Sequence, residues 1–143
     1  MHNPFYASGF LYSLKTHQIL LLSSGPKDDV ASSWSMLGGE GKQGEEAPDA
    51  FARIIYKLFK VKLKAKHIHP IYDYFHDTLD RINYVFYAEV KNPQVLSSLE
   101  KTSFSWIAFH QTVKLLFSDH TKQDVIVGER VINLKQRIDL NIQ

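Results

Sequence analysis

Residues 38–61 read GGEGKQGEEAPDAFARIIYKLFKV, and the fold turns on how this stretch is taken. Its first part, 38–44, holds four glycines and cannot be a regular element. It predicts a loop, because glycine supplies positive φ or close backbone approach where other residues cannot. Pro48 then suits the first turn of a helix, and Asp49 its positive end. Phe51, Ile54, Ile55 and Leu58 follow at i, i+3, i+4 and i+7, the stripe of an amphipathic helix laid on a core. The short apolar run 34–37 leads into this unit, so the order is strand, glycine loop, helix.

Working upstream, 5–14 is aromatic and aliphatic and reads as a strand despite Gly9. The polar 15–18 is a turn, and 19–22 reads as a second strand able to pair with the first. Ser, Gly, Pro and Asp over 23–33 are loop chemistry. Downstream, 68–76 and 82–90 are β-prone and aromatic, and 77–81 separates them, which predicts a second hairpin. In the later strand Val85, Tyr87 and Glu89 share one face, opposite Tyr84, Phe86 and Ala88. Asn92-Pro93 marks a break, 104–109 is a last strand, and 121–137 closes the chain as a helix with Val131, Leu134 and Ile138 on one stripe. Without repeats or a linker, 1–143 reads as a single domain.

Composition sets outer bounds. A chain of 143 residues buries a sizeable core without staples. It has no cysteine, which excludes disulfides and cysteine-ligated metal centres. A net charge of +2 is too small to indicate nucleic acid or membrane, although it does not rule nucleic acid out. The N-terminus lacks the pattern of a signal peptide, and no run approaches the roughly 18 apolar residues of a membrane helix. The expectation is a soluble, cytoplasmic domain.

The 38–61 stretch resembles the Nudix (MutT-type) box: a Gly, five residues, a Glu, seven residues, then R-E-U-x-E-E-x-G-U, with U a bulky apolar residue. Gly39, Glu45 and Arg53 stand at the family's spacing. After Arg53 the match breaks, since Ile54, Lys57 and Leu58 occupy the places of the three glutamates and Lys60 that of the box glycine. The element order is also similar to that of the family. The resemblance therefore implies an α/β fold, a Nudix-like α/β/α sandwich around a mixed sheet. It also implies that Glu45 and Arg53 brace the loop against the helix.

In an intact box the helical glutamates hold magnesium, which neutralises a diphosphate and activates water. Neither alkane can ligate a hard cation, and the Lys57 ammonium repels one. Catalysis of the box type is thus not expected. What the resemblance leaves is a pocket for a nucleotide-like or other phosphorylated small molecule, in a binding or regulatory module needing no cofactor. Gly38, Gly39, Arg53 and Lys57 are the ligand-binding candidates. Lys57 stands where it could pair with a phosphate in place of the ion, with Lys60 and Lys62 near it in sequence. The alternative is a hydrolase of nucleoside diphosphate derivatives that uses magnesium or manganese at a site rebuilt around Glu45. Glu45 is then the one catalytic and metal-ligating candidate, aided by carboxylates such as Glu89, Glu100 or Asp119. A homodimer is compatible with either reading.

Seven histidines invite a transition-metal reading. His67 and His69 would share a face on a strand, and His76-Asp77 could join them if the strands register. No third ligand is fixed by spacing, so surface histidines are the plainer expectation. His110, after the strand SWIAF, stands where a general base or a cap could sit. The aromatics Tyr72, Tyr74, Phe75, Tyr84, Phe86 and Tyr87 are expected mostly to build core.

Overall fold

The computed structural model describes residues 4–23, 33–91 and 103–142. Their central element is strand β1, Phe5–Ser13, which runs parallel to β6, Arg81–Val90, with Phe5 opposite Ile82 and Ser13 opposite Val90. The first half of β1 also pairs antiparallel with β4, Leu37–Glu40, and its end pairs with β2, Gln18–Ser23. β5, Ile68–His76, forms the far edge by pairing with β6. At the other side β2 carries β3, Ser33–Ser35, and β7, Ser103–Ala108, while the two-residue β8, Leu116–Phe117, joins β3. Both expected hairpins form, and the sheet is mixed.

Because side chains alternate along a strand, β1, β2 and β6 feed two cores. Ala7, Leu11, Leu20, Phe86 and Ala88 meet helix α1, Ala47–Phe59, through its Ala50, Phe51, Ile55 and Phe59. Phe10, Tyr12, Ile19, Leu21, Tyr87 and Ile107 meet helix α2, Asp119–Ile142, through Val125 and Ile132. Helices thus cover both faces, giving the α/β/α sandwich. No helix among the described residues is long and apolar enough to cross a membrane.

The glycine stretch is corrected first. Gly38 and Gly39 are strand residues of β4, paired with Ser8 and Ala7, and the loop is confined to 41–46. Within it only Gly44 takes a positive φ, of 80°. Glycine serves close approach in β4: a Cβ on Gly38 would come 2.8 Å from the Tyr6 ring, and one on Gly39 would come 3.0 Å from Ile54 Cδ1. Tertiary pairing has overridden the local preference for a loop.

α1 begins where Pro48 and Asp49 place it and ends at Lys60, whose φ of 58° is left-handed. The family has its box glycine here. A lysine pays roughly 1 kcal/mol for that conformation, and its Nζ lies over the Tyr56 ring at 5.0 Å from the centroid.

The second correction concerns α2. It starts two residues early because Ser118 Oγ accepts the Thr121 N–H, an N-cap that the sequence reading overlooked. Its buried stripe is Val125, Gly128 and Ile132, with Asp124 beside it, whereas Leu134 and Ile138 are exposed. In β5 a bulge between Pro70 and Tyr72 resets the alternation, so that Tyr72, Tyr74 and His76 share a face and Phe75 is exposed, outside the core. The break at Asn92-Pro93, most of the 23–33 loop and Glu100 lie outside the described residues.

Candidate functional site

The 41–46 loop is held as the resemblance to the box implies. Arg53 donates from Nε to Glu45 Oε2 at 2.9 Å and from Nη2 to Glu45 Oε1 at 3.1 Å. The same Nη2 reaches the Glu40 carbonyl at 2.8 Å, and the Lys42 N–H donates to Glu45 Oε1 at 2.9 Å. These charge-assisted bonds hold the Glu45 carboxyl below its ordinary range, the Arg53 hydrogen bonds first among the causes. Glu40 is likewise engaged, accepting from Arg81 Nη1 at 2.9 Å.

The donor set on α1 does not fit a hard cation. Ile54 is buried against Gly39, Lys57 is exposed in the last turn, and Leu58 faces a cleft. Glu45, the acid at the family's spacing, has both oxygens committed to Arg53. Glu89, considered as a substitute ligand, instead bonds His69 Nε2 at 2.9 Å and lies 3.4 Å from Lys135 Nζ. Asp119 is exposed at the start of α2.

The cleft beside Leu58 has a volume of about 410 Å³, within the usual range for small-molecule sites. Tyr6, Ser8, Gly38 and Asn83 come to it from the sheet, His76 from the end of β5, and His120, Thr121 and Asp124 from the first turns of α2. Of the ligand-binding candidates, Gly38 lines it. Gly39 and Arg53 instead hold the loop and helix in place, and Lys57 stands one residue from Leu58. Lys62 lines a separate cavity of about 310 Å³ with Lys64, Lys91, His67 and Trp106.

A polar relay crosses the cleft. Ser8 Oγ donates to Asn83 Oδ1 at 2.9 Å, and Asn83 Nδ2 donates to the Tyr74 hydroxyl at 3.2 Å. That hydroxyl donates to Asp124 Oδ2 at 3.1 Å, and Tyr72 donates to Asp124 Oδ1 at 2.7 Å. All these bonds run toward one carboxylate, an arrangement in which each bond polarises the next. Burial pushes the Tyr74 hydroxyl up to about 12.

Asp124 is 3% exposed, and burial raises its carboxyl above the ordinary 3.8 despite the two phenol donors. A raised folded-state value means that the folded chain holds the proton more firmly, so Asp124 costs stability as pH climbs from 3.8 through that value. Glu45 has the opposite sign: its contribution is present above the ordinary 4.5 and is lost as pH falls through its lowered value. Asp124→Asn should therefore gain stability relative to the parent as pH rises across the acidic range. Urea midpoints measured for both proteins at a series of acidic to neutral pH values check this, and parallel curves would refute it.

The histidines sort differently from the sequence pairing. His67 sits in a 3-10 turn, Ala65–His67, and only His69 is on β5. His110 is exposed in a second 3-10 turn. His76 and Asp77 meet His120, which the sequence reading did not weigh. Asp124 was also missed, although a correct phase for α2 would have put an acid on its buried face.

No protein-family model matches the sequence, and no curated protein matches it. Solved structures do. The NUDIX domain of Shewanella oneidensis NrtR, complexed with ADP ribose, superposes with a TM-score of 0.67 at 10% identity, over 92% of this chain and 90% of that one. A MutT protein from Methanosarcina mazei Go1 gives 0.64 at 16% identity, over 93% and 98%. A MutT/nudix family protein from Enterococcus faecalis gives 0.58 at 15%, over 74% of this chain, which spans 44% of that longer one. By these superpositions the chain, with helices on both faces of a mixed sheet, has the Nudix fold.

Proposed function

We propose that this domain binds a nucleotide-like or other phosphorylated small molecule in the cleft between the sheet and the first turns of α2, without magnesium-dependent hydrolysis. The observation that carries this reading is the fate of the box helix. Leu58 presents an alkane to the cleft and Ile54 is packed away under Gly39, where the box pattern has carboxylates. The cleft still offers His76, His120 and Thr121 for hydrogen bonding, while Ser8 and Asn83, also in its lining, are engaged in the relay to Asp124. The ADP ribose in the NrtR neighbour is of the same ligand class. Lys57, exposed beside Leu58, is the cation assigned to a ligand phosphate. The role is that of a binding or regulatory module.

Calorimetric titration with ADP ribose and related nucleoside diphosphate derivatives tests the reading. Saturable binding is expected with equal affinity whether or not magnesium or manganese is added, and no phosphate-containing product should accumulate. Turnover that needs either metal and collapses in Glu45→Gln would establish the hydrolase alternative instead. Lys57→Glu should weaken binding at least several-fold, and unchanged affinity would remove that residue from the site.

A further inference from the structure

At the rim of the cleft, two imidazoles and a carboxylate converge from parts of the chain far apart in sequence. His76 ends β5, Asp77 begins the turn after it, and His120 lies in the first turn of α2. One ligand atom from each lies within 4.8 Å of the other two. We propose that His76, Asp77 and His120 form a binding site for a first-row transition-metal ion such as zinc, separate from the box helix.

The donor chemistry selects the metal. Imidazole nitrogen suits zinc, cobalt, nickel and copper, whereas magnesium and calcium take oxygen. Two histidines and one carboxylate are three protein ligands, which leaves a fourth tetrahedral position open. His76 and His120 also line the cleft, so the site borders the space where a ligand would sit.

The geometry is near that of a loaded site. Tetrahedral zinc with bonds of roughly 2.0–2.1 Å places its ligand atoms about 3.3 Å apart. His120 Nε2 and Asp77 Oδ1, now hydrogen-bonded at 2.8 Å, need to part slightly, and the His76 ligand atom lies within 4.8 Å of both. Asp77 is exposed in a turn, where its Oδ1 also accepts the Thr78 N–H at 2.9 Å, a bond that a carboxylate oxygen can keep while it ligates a metal. His76 gives up a long, weak bond of 3.3 Å from the Leu79 N–H, whichever ring nitrogen it uses.

The rings are already gathered. His76 and His120 have centroids 3.9 Å apart, and the Tyr74 ring stacks on His120 at 5.6 Å with an interplanar angle of 11°. Facing imidazoles cannot comfortably both carry charge. An ordinary exposed His–Asp pair accounts for Asp77 and His120, and His76 also stacks on Tyr74 at 6.0 Å, so it is the convergence of all three ligand atoms that points to a metal.

The test is calorimetric titration of the full chain with zinc, repeated with cobalt while its visible absorption is recorded. One zinc per chain and a cobalt spectrum of tetrahedral intensity are expected, with magnesium producing no such binding. His76→Ala and His120→Ala should each weaken zinc at least about tenfold, while His69→Ala should leave it unchanged. Should His76→Ala disturb packing on Tyr74, His120→Gln and Asp77→Asn decide the matter, each weakening zinc in a protein of unchanged circular dichroism. Absent zinc binding, or binding that survives in His120→Gln and Asp77→Asn, overturns the site.

Discussion

Gly9→Ala is expected to destabilise the domain by at least about 3 kcal/mol. Gly9 lies in the middle of β1, opposite Phe86 on the parallel side and Leu37 on the antiparallel side. A Cβ there would run into the Phe86 carbonyl oxygen and come 2.8 Å from its carbon. That obstacle is main chain in a buried strand, so no side-chain rotation relieves it and β1 must move away from β6. For a domain whose whole stability is about 5–15 kcal/mol, such a loss is a large fraction. Thermal unfolding should show a midpoint lowered by roughly 10 °C or more. A shift within a few degrees would mean that β1 and β6 separate cheaply.

Phe51→Ala should cost a similar amount, about 3–5 kcal/mol. Phe51 is fully buried under α1, tilted against Phe86 with ring centroids 5.7 Å apart. Removing it leaves a cavity between the helix and the centre of the sheet, with Gly9 as part of the lining, since a Cβ there would meet Phe51 Cε1 at 3.0 Å. The two substitutions touch the same spot for different reasons. Phe51→Ala clears the ring contact made by a Cβ at position 9 but not the carbonyl clash, so it should not rescue Gly9→Ala. Urea unfolding of the single and double variants provides the check. Appreciable rescue would assign the Gly9 effect to ring packing, not to backbone approach.

Local signals were legible in the sequence. The resemblance of the 38–61 stretch to the Nudix box implies a brace between Glu45 and Arg53, and both guanidinium bonds are present. Both hairpins and α1 follow from periodicity and turn chemistry within short windows. The failures share a different cause. Gly38 and Gly39 look like loop by composition, yet Tyr6, Ala7 and Ser8 supply a strand partner that only tertiary contact reveals. The apolar Leu134 and Ile138 drew the stripe of α2 to a face that is exposed, and so hid Asp124. His120 lies 43 residues from Asp77, with no pattern between them to foretell their meeting. The fold was therefore readable and the cleft only at one wall, because its other walls arrive from distant segments.

The parallel alignment of β1 with β6 has a kinetic consequence. Ser8 and Asn83, bonded across it, are 75 residues apart in sequence. The centre of the sheet therefore cannot form until the chain has closed a loop of that size, at an entropic cost that nothing local offsets in advance. Folding should accordingly proceed on a timescale of roughly milliseconds or longer, not microseconds. The loop–helix unit lies inside that closing segment: its β4 strand can pair with β1 early, but the β6 strand on the other side of β1 arrives late. A chain still emerging during synthesis, before residue 90 is available, would hold this unit on β1 alone, without Phe86 and Ala88 of β6 beneath α1.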